Sequence, residues 1–143
     1  MCRGFYSEDK PDVHISMKQE DIEREKSMLI QYRDDDLSEH SLEFFALLRR
    51  ISDIIINFDA FMIHGAVISV RESAYLFTAQ SGIGKTTHIK KWLKNLPEAF
   101  VVNGDKPFIK ISDDGTPPLA CGSPWSGKER MHKTAAGKSE VTI

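Results

Sequence analysis

Residues 74–87 read AYLFTAQSGIGKTT, and the two halves of this stretch ask for different backbones. Ala74, Tyr75, Leu76, Phe77 and Thr78 are apolar, aromatic or β-branched, the composition of a short strand. Ala79, Gln80, Ser81, Gly82, Ile83 and Gly84 then carry turn signals, and Lys85-Thr86-Thr87 opens a helical pattern. In that helix Ile89, Trp92, Leu93 and Leu96 share a face, Lys90, Lys91 and Lys94 lie mostly off it, and Pro97 stops it. A strand entering a helix through such a loop has the form of a P-loop. The pattern G-x-x-x-x-G-K-[ST] appears here as A-Q-S-G-I-G-K-T.

Each residue type in the loop has a physical reason. Triphosphate oxygens are held best by backbone N–H groups that converge at a helix N-terminus. The expected cradle is Gln80, Ser81, Gly82, Ile83, Gly84, Lys85, Thr86 and Thr87. Gly82 and Gly84 admit backbone conformations that a side chain would obstruct. Lys85 brings a point charge to the β- and γ-phosphates of ATP, and the Thr86 hydroxyl is a ligand for magnesium. Ala79 stands where the pattern has glycine, so the chain must enter the turn without a positive φ.

Outward from the loop, residues 61–70 (FMIHGAVISV) read as one strand and Arg71-Glu72-Ser73 as a turn. Further strands are expected at 100–102, 108–112 and 119–121, with Asp113-Asp114-Gly115 as a hairpin turn. Upstream, Phe44, Leu47, Leu48, Ile51, Ile54, Ile55 and Phe58 place an amphipathic helix over 37–58, with Asp36 and Glu39 as a capping box. Residues 1–36 are polar, with a short strand signal at Val13, Ile15 and Met17 and charges of both signs over 21–33 that suit a helix. The chain thus divides into a polar segment (1–36), a nucleotide-binding domain (37–130) and an irregular tail (131–143). The expected fold is α/β, a mixed sheet of four or five strands with the P-loop helix on one side.

The 143 residues carry 19 basic and 21 acidic side chains, a net charge of −2. That balance supplies no bulk field for nucleic acid or a membrane surface. Cys2 and Cys121 form no zinc pattern, and the N-terminus lacks the apolar stretch of a secretion signal, which together suit a reduced cytoplasmic setting.

Phosphoryl transfer needs a carboxylate near the γ-phosphate. Asp105 follows the apolar strand at 100–102, as a Walker B aspartate follows its own strand, although Asn103-Gly104-Asp105 also reads as a polar turn. His64 lies in an apolar strand, where a histidine is ordinarily a core residue. Residues 122–129 (GSPWSGKE) form a loop in which Trp125 and Lys128 are candidates to meet a substrate and Glu129 to complete a magnesium shell. A surface loop with Trp125 packed on the core is the competing account.

Taken together, residues 64–87 (HGAVISVRESAYLFTAQSGIGKTT) resemble the nucleotide-binding core of HPr kinase/phosphorylase, with a histidine before S-G-x-G-K-S. The loop is also similar to that of ATP-dependent phosphoenolpyruvate carboxykinase, which has S-G-T-G-K-T-T. Closer still are bacterial kinase-like proteins with H-G-A, N-G-D-K-P and G-[ST]-P-W-x-G-K-E segments. These correspond here to His64-Gly65-Ala66, residues 103–107 and residues 122–129. The resemblance runs over about residues 37–130. It implies a sheet of the HPr kinase and carboxykinase type and Mg-dependent phosphoryl transfer from ATP to a hydroxyl or carboxyl acceptor, a small molecule or a peptide. In it, Lys85 stabilises the transferring group and Thr86 holds magnesium. Asp105 is the base or a metal ligand, and His64 an auxiliary polar group beside the phosphates. Where those kinases have an acidic pair, this chain has Asp105-Lys106, which disfavours two-metal chemistry and HPr itself as the acceptor. Those proteins continue past the last loop, so the chain is expected to be truncated, or divergent, at its C-terminus, with a strand edge open to a second chain. A nucleotide-sensing or scaffold module without catalysis is the alternative that Ala79 and Lys106 favour.

Overall fold

In the computed structural model, which describes residues 5, 7–30, 37–80, 82–127 and 141–142, the chain divides into two compact units. One, Asp9–Ile56, holds two helices; the other holds the strands and a third helix. The architecture is mixed α/β.

In the helical unit, α1 spans Gln19–Leu29 and α2 spans Glu39–Ile55, followed by a 3-10 turn at Ile56–Phe58. The Asp21 carboxylate accepts from the Lys18 N–H at 3.0 Å, capping α1 with an acid in its first turn. Ser38 caps α2, its hydroxyl accepting from the Ser41 N–H. Asp36, expected in that role, lies outside the described residues. The two helices pack together, and Arg49 grips the buried Glu25 through Nε at 2.7 Å and Nη2 at 3.1 Å. That hydrogen bond, with the charge of Glu25 beside it, raises the guanidinium further above its ordinary range. Val13, Ile15 and Met17 form no strand: among the described residues of their unit, Asp9–Ile56, there is no strand for them to pair with.

The second unit is built on β2 (Ala66–Val70), β3 (Ser73–Phe77) and β4 (Ala99–Asn103). β2 lies between the other two and is antiparallel to both. Arg71 and Glu72 make the two-residue turn into β3, with Arg71 at φ 59. A second antiparallel group comprises β1 (Ala60–Met62), β5 (Phe108–Lys110) and β6 (Leu119–Cys121). β7 (Val141–Thr142) bridges β6 and β3, giving the order β1-β5-β6-β7-β3-β2-β4. The strand expected over 61–70 is therefore two strands, and each belongs to a different group.

Helix α3 (Lys85–Asn95) covers one face of the first group. There Ala66, Ile68, Ile89 and Val101 form a buried cluster with Phe77 and Trp92 against it. The period of two in β2 sends Val67 to the opposite face, where it meets Val102, Ile109 and Ala120. The expected turn at 113–115 falls within the β5–β6 connection, with Gly115 at φ +80. Asp114 accepts from the hydroxyl and the N–H of Thr116, and these bonds hold its carboxyl below the ordinary range.

Candidate functional site

The registers decide where the functional loops meet. Ala66 lies opposite Phe77 and Val67 opposite Asn103, so the start of β2 and the ends of β3 and β4 share one end of the sheet. His64 enters β2 there, residues 78–84 leave β3 there, and Gly104-Asp105-Lys106 leave β4 there. Three segments far apart in sequence therefore emerge side by side.

The loop has the backbone that its glycines suggested. Gly82 takes φ +87 and Gly84 φ +107, both in the left-handed region. Gly84 is the N-cap of α3; it has no side chain to cap the helix, and its carbonyl accepts from His88 N at 3.0 Å. By helix geometry the N–H groups of Lys85, Thr86 and Thr87 have no intrahelical acceptor, and they carry the positive end of the helix dipole. Lys85 Nζ folds back across the loop to the Ala79 carbonyl at 2.6 Å and the Gln80 carbonyl at 3.4 Å. Among the described residues the only non-glycines with positive φ are Asp59 and Arg71. Ala79 thus enters the loop in a permitted region, and alanine there distorts nothing. Ser81 lies outside the described residues.

Beside the loop, His64 Nε2 stands 3.3 Å from Asp105 Oδ1, and Lys106 Nζ stands 2.7 Å from Asp105 Oδ2. His64 is not the core histidine that its apolar neighbours suggested. Its side chain is half exposed and faces a carboxylate. Gly65 follows it because β3 passes very close: a Cβ there would sit 3.0 Å from Leu76 Cδ1 and 3.1 Å from the Phe77 carbonyl oxygen. Gly65→Ala should therefore destabilise the protein by about 1–3 kcal/mol, read as a lower urea midpoint. An unchanged midpoint would show that the two segments separate freely.

Residues 122–127 lie against the Asp105 segment. The Trp125 carbonyl accepts from Lys106 N at 3.2 Å, and a Cβ on Gly127 would meet Asp105 Cβ at 3.1 Å. Trp125 itself is half-buried, edge-on to Phe108 with ring centres 6.3 Å apart. Lys128 and Glu129 lie outside the described residues.

The sequence reading missed what ties these segments together. Asn103 is fully buried; its Oδ1 accepts from the N–H groups of Asp105 and Lys106, each at 2.9 Å. Its Nδ2 donates to the carbonyl and hydroxyl oxygens of the buried Ser123, each at 3.0 Å. The available signal was a polar residue closing an apolar strand, and it was equally a turn signal.

Among the described residues no group of three or more His, Cys, Asp or Glu side chains gathers to hold a metal, and no helix is long and apolar enough to cross a membrane. Comparison with family models, curated proteins and solved structures finds no match for this chain.

Proposed function

We propose that this chain binds ATP at residues 79–87 and, with magnesium, transfers its γ-phosphoryl group to a hydroxyl or carboxyl of a small molecule or peptide, on a fold of the HPr kinase and carboxykinase type. The observation that carries the reading is the left-handed Gly82 and Gly84 at an uncapped helix N-terminus, with Lys85 folded over the same loop. An anion placed there replaces the Ala79 and Gln80 carbonyls as the partner of Lys85, and takes the free N–H groups of the first turn of α3.

The residues also suit a hard cation. The hydroxyl of Thr86 and the carboxylate of Asp105 are oxygen donors at one end of the sheet. Magnesium bound with the phosphates would offset the charge on the transferring group. Asp105 then takes the proton of the acceptor hydroxyl as the oxygen bonds to the γ-phosphorus, the bond to the β-phosphate oxygen breaks, and ADP leaves. A carboxylate acceptor needs no proton removed. His64, 3.3 Å from Oδ1, orients the Asp105 carboxylate.

A sensing module without turnover is the second reading, and Lys106 is the observation that favours it. An ammonium 2.7 Å from Asp105 Oδ2 competes for the carboxylate that the reaction needs. Calorimetry with Mg·ATP tests the shared premise. Lys85→Ala should weaken binding by about 1.5–3 kcal/mol, roughly ten- to a hundredfold. An unchanged affinity would remove the phosphate site. ADP release by the wild type supports the kinase; tight binding with no release supports the sensor.

A further inference from the structure

The phosphate loop opens into a cleft of about 700 Å³ between the end of β3 and the first two turns of α3. That is far more room than phosphates require, and it falls within the size range of small-molecule pockets. Its lining mixes apolar and polar groups: Leu76, Phe77 and Ile83 are the apolar part, with Thr78 beside them and Thr87, His88 and Lys91 along α3. Thr87 and Lys91 are four residues apart, so the helix carries the lining in one direction, away from Lys85.

Two side chains of the lining offer apolar or aromatic surface that phosphates do not use. Ile83 is 69% exposed, the most exposed large apolar side chain among the described residues, at the tip of the loop. His88 is also held in place. Its Nε2 accepts from Trp92 Nε1–H at 3.0 Å, and its ring lies 4.7 Å from that of Phe77 at 68°. Phe77 in turn meets Trp92 at 5.3 Å. A fixed aromatic pair and an exposed isoleucine lining one cleft suit a flat ring that is apolar on both faces.

We propose that this cleft takes the nucleoside part of the nucleotide, its base lodged between Ile83 and the Phe77–His88 pair. This rests on the phosphate-loop reading above and adds the part of the ligand that the loop cannot recognise. Base–aromatic contact tolerates every base, so the site accepts purine and pyrimidine nucleotides and distinguishes them mainly by ring size.

Calorimetry with two probes, Mg·ATP and inorganic tripolyphosphate, tests it. Wild type should bind ATP at least about tenfold more tightly than tripolyphosphate. His88→Ala, at an exposed position outside the phosphate cradle, should lower ATP affinity about fivefold or more and leave tripolyphosphate affinity unchanged. Equal affinities for the two probes in the wild type, or equal losses for both in the variant, overturn the inference; if Lys85→Ala still weakens both probes, the phosphate site stands. Absence of binding by either probe overturns the nucleotide reading, and this inference with it.

Discussion

Asp105→Asn should lower ADP formation by about 10²- to 10⁴-fold while leaving ATP affinity unchanged. Asparagine keeps the shape of the side chain and can still accept through one oxygen, but it cannot take a proton. The backbone bonds of this residue are untouched: its carbonyl accepts from Gly65 N at 2.9 Å and its N–H donates to Asn103. The loop geometry should therefore survive, and thermal midpoints of the two proteins should agree closely. The separation of turnover from affinity is what matters. On the proposed reading, affinity comes from Lys85 and the first turn of α3, whereas the base role of Asp105 is exercised when the acceptor loses its proton. Equal turnover in the variant would dismiss Asp105 as the base. A parallel fall in affinity would make it a binding or metal ligand instead, one of the two roles that the resemblance implies.

The loop at residues 79–87 was the most legible part of the sequence because its information is local. Gly82, Gly84 and Lys85 act through backbone conformation and a helix start, and both are dictated by neighbours along the chain. The helix expected after the loop is present as α3, and the strand at 119–121 is present as β6 with the same bounds. Residues 61–70 were misjudged as one strand for a different reason. β1 pairs with β5 and β2 with β3 and β4, so the chain leaves one antiparallel group and joins another at Ile63, His64 and Gly65. The Ile63 N–H goes to the Pro107 carbonyl and the Gly65 N–H to the Asp105 carbonyl, partners about forty residues away. An apolar run reports that a segment is buried, but not which strands bury it. The same limit hid the His64–Asp105 contact, which exists only because this crossing lies beside the end of β4. Lys106 was read as the loss of a second carboxylate; the structure adds that its ammonium reaches the first one.

Asn103→Ala should destabilise the protein by about 3–4 kcal/mol, one of the larger losses expected of a single polar side chain. The side chain is fully buried and makes four hydrogen bonds, two to N–H groups beyond β4 and two to Ser123. Truncation leaves the Asp105 N–H without its acceptor and the Ser123 carbonyl without this donor, while the Lys106 N–H keeps only its longer bond to the Trp125 carbonyl. Each buried group left unsatisfied costs about 1–3 kcal/mol, and water entering the space left behind recovers part of that. Ser123→Ala should cost less, about 1–2 kcal/mol: Asn103 keeps its other three bonds, although the Lys106 carbonyl and the Trp125 N–H also lose the hydroxyl. The double variant should then fall short of the sum of the two, since both changes break the same Asn103–Ser123 link. Urea unfolding measures all three. A loss below about 1 kcal/mol for Asn103→Ala would mean that Asn103-Gly104-Asp105 is a solvated polar turn after all. The loss expected here would instead make Asn103 the residue that fixes Asp105 and residues 122–127 against each other, by hydrogen bonds to both segments.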